Sequence, residues 1–213
     1  MKRNNIIAVA AAAIIGLATF STSARAQDIT LPAPQKSTTA GTLSKALQDR
    51  KSVRQFAAKT LTDQQLADLL WAACGVNRPD GKLTVPSAMN KQDITVYVGR
   101  ADGTYRYDAK ANKLVKIGSG DLRQEAGQRN KFIQTAPTVV VIASDTSLQS
   151  GRLAICGIDA GAVMQNIYLH CAANGLATVC CYAGEDTAEM QKFLGIKPEL
   201  KPLIYMPVGY AAQ

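Results

Sequence analysis

The chain has 213 residues, of which 47% are hydrophobic and 19% charged. Lysine and arginine outnumber aspartate and glutamate by 24 to 16, for a net charge of +8, yet no long basic stripe with interleaved aromatics appears, which argues against a nucleic-acid partner. The five cysteines, Cys74, Cys156, Cys171, Cys180 and Cys181, form no C-x-x-C pair, so zinc and thioredoxin-like chemistry are unsupported and the thiols read as small buried hydrophobes.

The first 26 residues read as an export signal outside the fold. Lys2 and Arg3 make a positive start, Ile6 to Phe20 is a 15-residue apolar run too short to span a bilayer comfortably, and Ala24-Arg25-Ala26 is a small-residue cleavage site. No cysteine follows the run and no arginine pair precedes it, so neither a lipid anchor nor a twin-arginine route is expected. The expected product begins at Gln27, is exported to the periplasm without a stable membrane anchor, keeps 187 residues and carries +5 once Lys2, Arg3 and Arg25 are gone. That length suits one domain with a sizeable core.

Residues 27–41 are rich in Pro, Thr and Ser and read as a flexible leader. Thr42 to Lys51 reads as a short helix with Leu43, Ala46 and Leu47 on one face. Thr62-x-x-Gln65 is a capping box that opens a second helix, with Leu61 and Leu66 as its staple and Gly75 as its end. Ile94–Gly99 and Thr104–Tyr107 read as a hairpin around Asp102-Gly103, with Lys113–Ile117 as a third strand. Asp121–Phe132 reads as a polar helix, and Thr138–Ala143 as a continuous apolar strand in the middle of a covered sheet.

Leu153 to Asn174, closed by Gly175, is the longest predicted helix and is small or apolar nearly all round. A helix apolar on every side is buried on every side, which in a single small domain implies a second subunit. Ala177–Cys181 reads as a buried strand, Asp186-x-x-Glu189 as the cap of a last helix through Leu194, and Leu203–Val208 as a closing strand. Strands mixed with helices in this order make an α+β fold over residues 42–213.

Two segments carry the chemistry. Arg50-Lys51-Ser52-Val53-Arg54-Gln55-Phe56 places three cations and a hydroxyl within five residues at a helix end, a set suited to a doubly charged phosphate. Pro86-Ser87-Ala88-Met89-Asn90-Lys91-Gln92 is a turn that presents hydroxyl, amide and ammonium groups able to meet the edge of a flat heteroaromatic ring. Together with Gln165-Asn166-Ile167-Tyr168-Leu169 and Gly175-Leu176-Ala177-Thr178, in that order, these segments resemble the FMN-dependent nitroreductase family from about Leu43 to Tyr210.

The resemblance implies a mixed, mainly antiparallel sheet flanked by helices, a homodimer, and FMN as cofactor. It implies that Arg50, Lys51, Ser52 and Arg54 hold the phosphate and ribityl chain. It implies that Pro86, Ser87, Ala88, Asn90 and Gln92 meet the ring, often across the dimer interface. It implies that backbone groups of Tyr182, Ala183 and Gly184 meet the flavin N5 face. Ala177 and Tyr182 stand where the family often has glycine, and Gln213 follows Tyr210 by three residues, without the basic tail that many members close on the phosphate.

No Ser-His-Asp set is available, because the one histidine, His170, sits inside the apolar helix, and Asp159 and Asn166 on that helix read as hydrogen-bonding packing residues. No catalytic acid–base pair is therefore expected, and the cofactor carries the hard step. The implied activity is ping-pong reduction of nitroaromatic or quinone-like acceptors with NAD(P)H or another small-molecule donor. The rival reading is an exported, non-catalytic module that holds flavin or another phosphate-bearing ligand in the same cradle.

Overall fold

A computed structural model of the chain describes residues 27–35, 41–185 and 187–212. The export signal read from residues 1–26 and the cap residue Asp186 lie outside these. Among the described residues, one sheet forms in the order β1 (Ile29–Thr30), β4 (Lys113–Gly118), β3 (Gly103–Asp108), β2 (Ile94–Arg100), β5 (Thr138–Asp145), β8 (Leu200–Gly209), β6 (Ala177–Thr178), with β7 (Cys181–Tyr182) also on β8. Every described pairing is antiparallel.

The sheet is covered on both faces, and strand periodicity decides which side chain goes where. Val140 and Ile142 of β5, Val96 and Val98 of β2, and Met206 and Val208 of β8 pack with helices α2 (Asp63–Cys74) and α4 (Leu153–Ala173). Their neighbours Val139, Val141, Tyr97 and Tyr205 turn the other way, toward α3 (Leu122–Ala126) and α5 (Ala188–Leu194). Each such aliphatic side chain, once fully buried, contributes about 1.5–3 kcal/mol. The run Thr138–Ser144 is buried throughout and flanked by β2 and β8, as its continuous apolar sequence predicts.

Local signals place the helices well. Thr62 Oγ1 accepts from the Gln65 amide at 3.2 Å and Gln65 Oε1 accepts from the Thr62 amide at 3.0 Å, so the capping box that opens α2 is complete. That helix ends at Gly75, whose backbone turns extended at a point where a Cβ would lie 2.3 Å from the Trp71 ring. No helix of the described residues is long and apolar enough to cross a membrane.

Four expectations need correction. The flexible leader is tied down over Ile29–Leu31: β1 pairs with β4, Leu31 is buried, and Asn112 Nδ2 donates to the Leu31 and Pro32 carbonyls. The predicted helix Asp121–Phe132 stops at Ala126, where Gly127 allows the Gln134 side chain into a space a Cβ would fill, and resumes as a 3-10 turn over Lys131–Thr135. The strand Ala177–Cys181 is split, since the Cys180 amide leaves the sheet and donates to the Tyr168 hydroxyl. The last helix is capped at Thr187 without a side-chain cap bond.

The long helix α4 is covered by its own chain on one side only. Cys156, Ala160, Val163, Ile167 and Cys171 are buried, whereas Ile158 is 71% and Leu153 48% exposed. Leu43 and Leu47 of α1 (Leu43–Asp49), which packs against α4, are 65% and 53% exposed.

Candidate functional site

Helix α1 closes at Arg50, whose amide donates to the Ala46 carbonyl, and the chain then runs extended as a strap. Val53 donates its amide to the Thr178 carbonyl at 2.9 Å, Phe56 bridges to Ala211, and Ala57 donates to Tyr210. Val53 is half-buried and Phe56 buried, so they pin the strap inward while Ser52 and Arg54 between and beside them stay exposed.

The strap's cations are held by rings. The Arg50 guanidinium lies 5.1 Å from the Tyr168 ring centre, and that of Arg54 lies 6.0 Å from the Phe132 ring centre. Among the described residues, Arg50, Lys51 and Arg54 have no carboxylate within ion-pair distance, whereas Arg100 and Arg123 do. The donors of the strap are therefore open to an external anion. Ser52 Oγ and the Tyr168 hydroxyl share a hydrogen bond of 2.9 Å.

A cleft of about 440 Å³ adjoins the strap, lined in part by Lys51, Val53, Tyr168, Gly175, Thr178 and Ala211. The Thr178 hydroxyl oxygen is buried there without a partner among the described residues. Two guanidinium groups, an ammonium and the hydroxyl of exposed Ser52 make a donor set suited to a phosphate dianion, so these residues fit the phosphate end of FMN.

The Pro86–Gln92 turn is held by a different device. Met89, Asn90 and Gln92 have φ of 54°, 54° and 47°, left-handed values that cost a side-chain-bearing residue energy unless surroundings impose them. Ala88 donates its amide to both Asp159 carboxylate oxygens, and Gln92 donates its amide to Ser87 Oγ at 2.9 Å. Asp159 is buried, and Gln149 Nε2 links it at 3.4 Å to Asp93 at 2.9 Å, with Ser144 also donating to Asp93. Burial raises the Asp159 pKa above the usual carboxylate value; the Ala88 amide opposes this, and the neighbouring Asp93 carboxyl adds to it.

The third stretch lies past β7. Tyr182 is exposed and donates its hydroxyl to Glu185. Ala183 commits its amide to the Leu203 carbonyl at 3.0 Å, so that donor belongs to the sheet. Gly184 has φ of 99°, and a Cβ there would sit 2.1 Å from Arg129 Nη1, so glycine is required.

The sequence-predicted residues are thus gathered only in part. The strap meets α4 at Tyr168, and the Pro86 turn meets it at Asp159. Nine residues of helix separate these points by about 13 Å. Arg50–Arg54 and Pro86–Gln92 are thus anchored at separate points of α4. Asn166 donates to the Ala72 carbonyl, a packing role, and burial lowers the pKa of His170. All five cysteines are free; burial pushes the Cys181 thiol up to about 11 and also raises Cys180, which keeps both protonated. Sequence reasoning assigned no role to Tyr168, Thr178 or Phe132. A tyrosine inside a helix of small residues was the available signal, because a buried phenol needs a hydrogen-bond partner.

A helix-flanked antiparallel sheet, a long helix with one exposed face and a basic strap against that helix define an α+β protein. The family model described as the nitroreductase family matches residues 47–210. A nitroreductase relative from Methanocaldococcus jannaschii is 34% identical over 181 residues, covering 78% of this chain and 90% of its own. The crystal structure of a nitroreductase relative from Ralstonia eutropha superposes with a TM-score of 0.82 at 32% identity, over 88% of this chain and 91% of its own. A Desulfovibrio desulfuricans relative crystallised with FMN shares the fold at a TM-score of 0.60 and 21% identity, over 82% of this chain and 89% of its own. The chain belongs to the nitroreductase family, a family of oxidoreductases.

Proposed function

We propose that the protein is an FMN-dependent oxidoreductase that works as a homodimer and reduces nitroaromatic or quinone-like acceptors in a ping-pong cycle. The observation that carries this reading is the strap, whose Arg50 and Arg54 rest on aromatic rings with no carboxylate partner among the described residues. Arg50, Lys51, Ser52 and Arg54 hold the phosphate and ribityl chain. Tyr182–Gly184 border the ring. When bound, FMN supplies the two-electron chemistry, taking hydride from a donor and passing electrons to an acceptor. The protein orients the ring and excludes water, and no side chain of the site is assigned as general acid or base.

The exposed apolar residues Leu43, Leu47, Leu153 and Ile158 support a second copy packed along α1 and α4. That copy would bring its Pro86, Ser87, Ala88, Asn90 and Gln92 to the ring held by the first strap, which answers the separation within one chain. The signal pattern of residues 1–26 supports a periplasmic location. Nicotinamides are scarce there, so NAD(P)H would serve in the test tube while another reductant serves in the cell.

The test is direct. Purified protein is expected to be yellow, or to become so on soaking in FMN. The flavin is expected to be reduced anaerobically by at least one of NADH, NADPH or an artificial donor, and reoxidised by a quinone. Protein that stays colourless in excess FMN contradicts the reading and leaves a binding module for another phosphate ligand.

A further inference from the structure

We propose that Tyr168 is a positioning residue that fixes the direction of the proton at Ser52 and so makes Ser52 a committed donor to the ligand's phosphate; the inference rests on the FMN reading above. The Cys180 amide can only donate, and it donates to the Tyr168 oxygen at 2.7 Å. Ser52 Oγ lies 2.9 Å from the same oxygen, and the distance alone allows either hydroxyl to donate. Burial decides between them. Tyr168 is 7% exposed, and Ser52 Oγ is the acceptor its proton finds among the described residues; if it accepted from both neighbours, that proton would have no partner there. Tyr168 therefore donates to Ser52, and the Ser52 proton turns outward from an exposed residue.

A phosphate dianion offers only acceptors, so a hydroxyl whose proton already points outward is complementary to it. The same ring lies beneath the Arg50 guanidinium, so one side chain aligns two donors of the strap. Through Cys180 it also joins the strap to the chain between β6 and β7 that leads to Tyr182–Gly184. The break in that strand is then the consequence of an amide diverted to the phenol. Nothing in the sequence spacing indicates this chain of hydrogen bonds, since Ser52 and Tyr168 are 116 residues apart.

The experiment titrates flavin-free protein with FMN and with riboflavin, which lacks the phosphate, following flavin fluorescence. Tyr168→Phe keeps the ring under Arg50 and removes the relay. It is expected to weaken FMN about tenfold while leaving riboflavin unchanged, the scale of one hydrogen bond to a charged group. Ser52→Ala is expected to lose the same preference, Ser52→Thr to retain it, and the Tyr168→Phe/Ser52→Ala pair to be no weaker than either alone. Equal loss of both flavins in a folded Tyr168→Phe protein, an FMN preference that it leaves undiminished, or additive losses in the pair overturn the inference. If Tyr168→Phe does not fold, the serine series decides: full FMN preference in Ser52→Ala overturns it. A wild-type protein with no preference for FMN over riboflavin overturns the phosphate reading itself, a result distinct from those above.

Discussion

Ala88 donates its backbone N–H to both carboxylate oxygens of Asp159, at 3.1 and 2.9 Å. One buried side chain on α4 thereby fixes a turn with three left-handed, side-chain-bearing residues. The turn's tip, Met89, is 81% exposed, so little else in the chain packs against it. A loop with an exposed tip is thus held from its base, by hydrogen bonds to the interior.

Asp159→Ala is expected to destabilise the protein by about 2–4 kcal/mol, because it strands the Ala88 amide and part of the Gln149 amide in the interior. Asp159→Asn keeps an acceptor for Ala88 and is expected to cost much less. Urea unfolding of the three proteins checks this. Equal losses in the alanine and asparagine variants contradict the hydrogen-bond account.

The same carboxyl sets a pH dependence. Its folded pKa is raised above 3.8, chiefly by burial, so its protonated form favours folding. That contribution is complete below the unfolded value and is lost as pH rises through the folded one. The stability of wild type relative to Asp159→Asn is therefore expected to fall with rising pH above about 4, the usual carboxylate range. The exposed Asp28 and Asp80, whose pKa values are lowered by bonds to Lys113 and Lys82, act in the opposite direction in both proteins and cancel in the difference. A difference that is flat or rises with pH contradicts the assignment.

Arg54→Ala is expected to weaken FMN retention at least tenfold, the cost of one charge-assisted contact, with little change in thermal midpoint. Arg54 is exposed and its described contact is the Phe132 ring, so the fold does not depend on it. Flavin content after gel filtration, read beside a melting curve, separates the two. Unchanged flavin content removes Arg54 from the phosphate grip.

Ile158→Glu places a charge in the middle of the exposed apolar face of α4. The variant is expected to sediment as a monomer and to bind FMN more weakly, because the turn around Ser87 would no longer reach a partner's ring. A dimeric variant with full flavin content contradicts the proposed interface.

Much of the fold was legible because it is written in local periodicity. The all-apolar run at Val139–Ala143 gave a covered central strand, and Thr62-x-x-Gln65 marked a helix start that the hydrogen bonds complete. Three of the failures share one cause, a tertiary contact that overrides the local pattern. Cys180 leaves its strand for Tyr168, and Leu31 finds a pocket that pulls a Pro-rich leader onto the sheet edge. The helix read through Phe132 breaks because Gln134 occupies the space beside Gly127. At the site, the cluster of cations on the strap was legible from its charge alone. The aromatic supports Tyr168 and Phe132 were not, since each sits far along the chain from the arginine it carries.

A crystal structure of the protein grown with excess FMN tests the central claim most directly. The account expects the phosphate within hydrogen-bonding distance of Arg50, Ser52 and Arg54 of one protomer, with the ring beneath the Pro86–Asn90 turn of its partner. A strap left without ligand, or a flavin bound with its phosphate turned away from these residues, contradicts it.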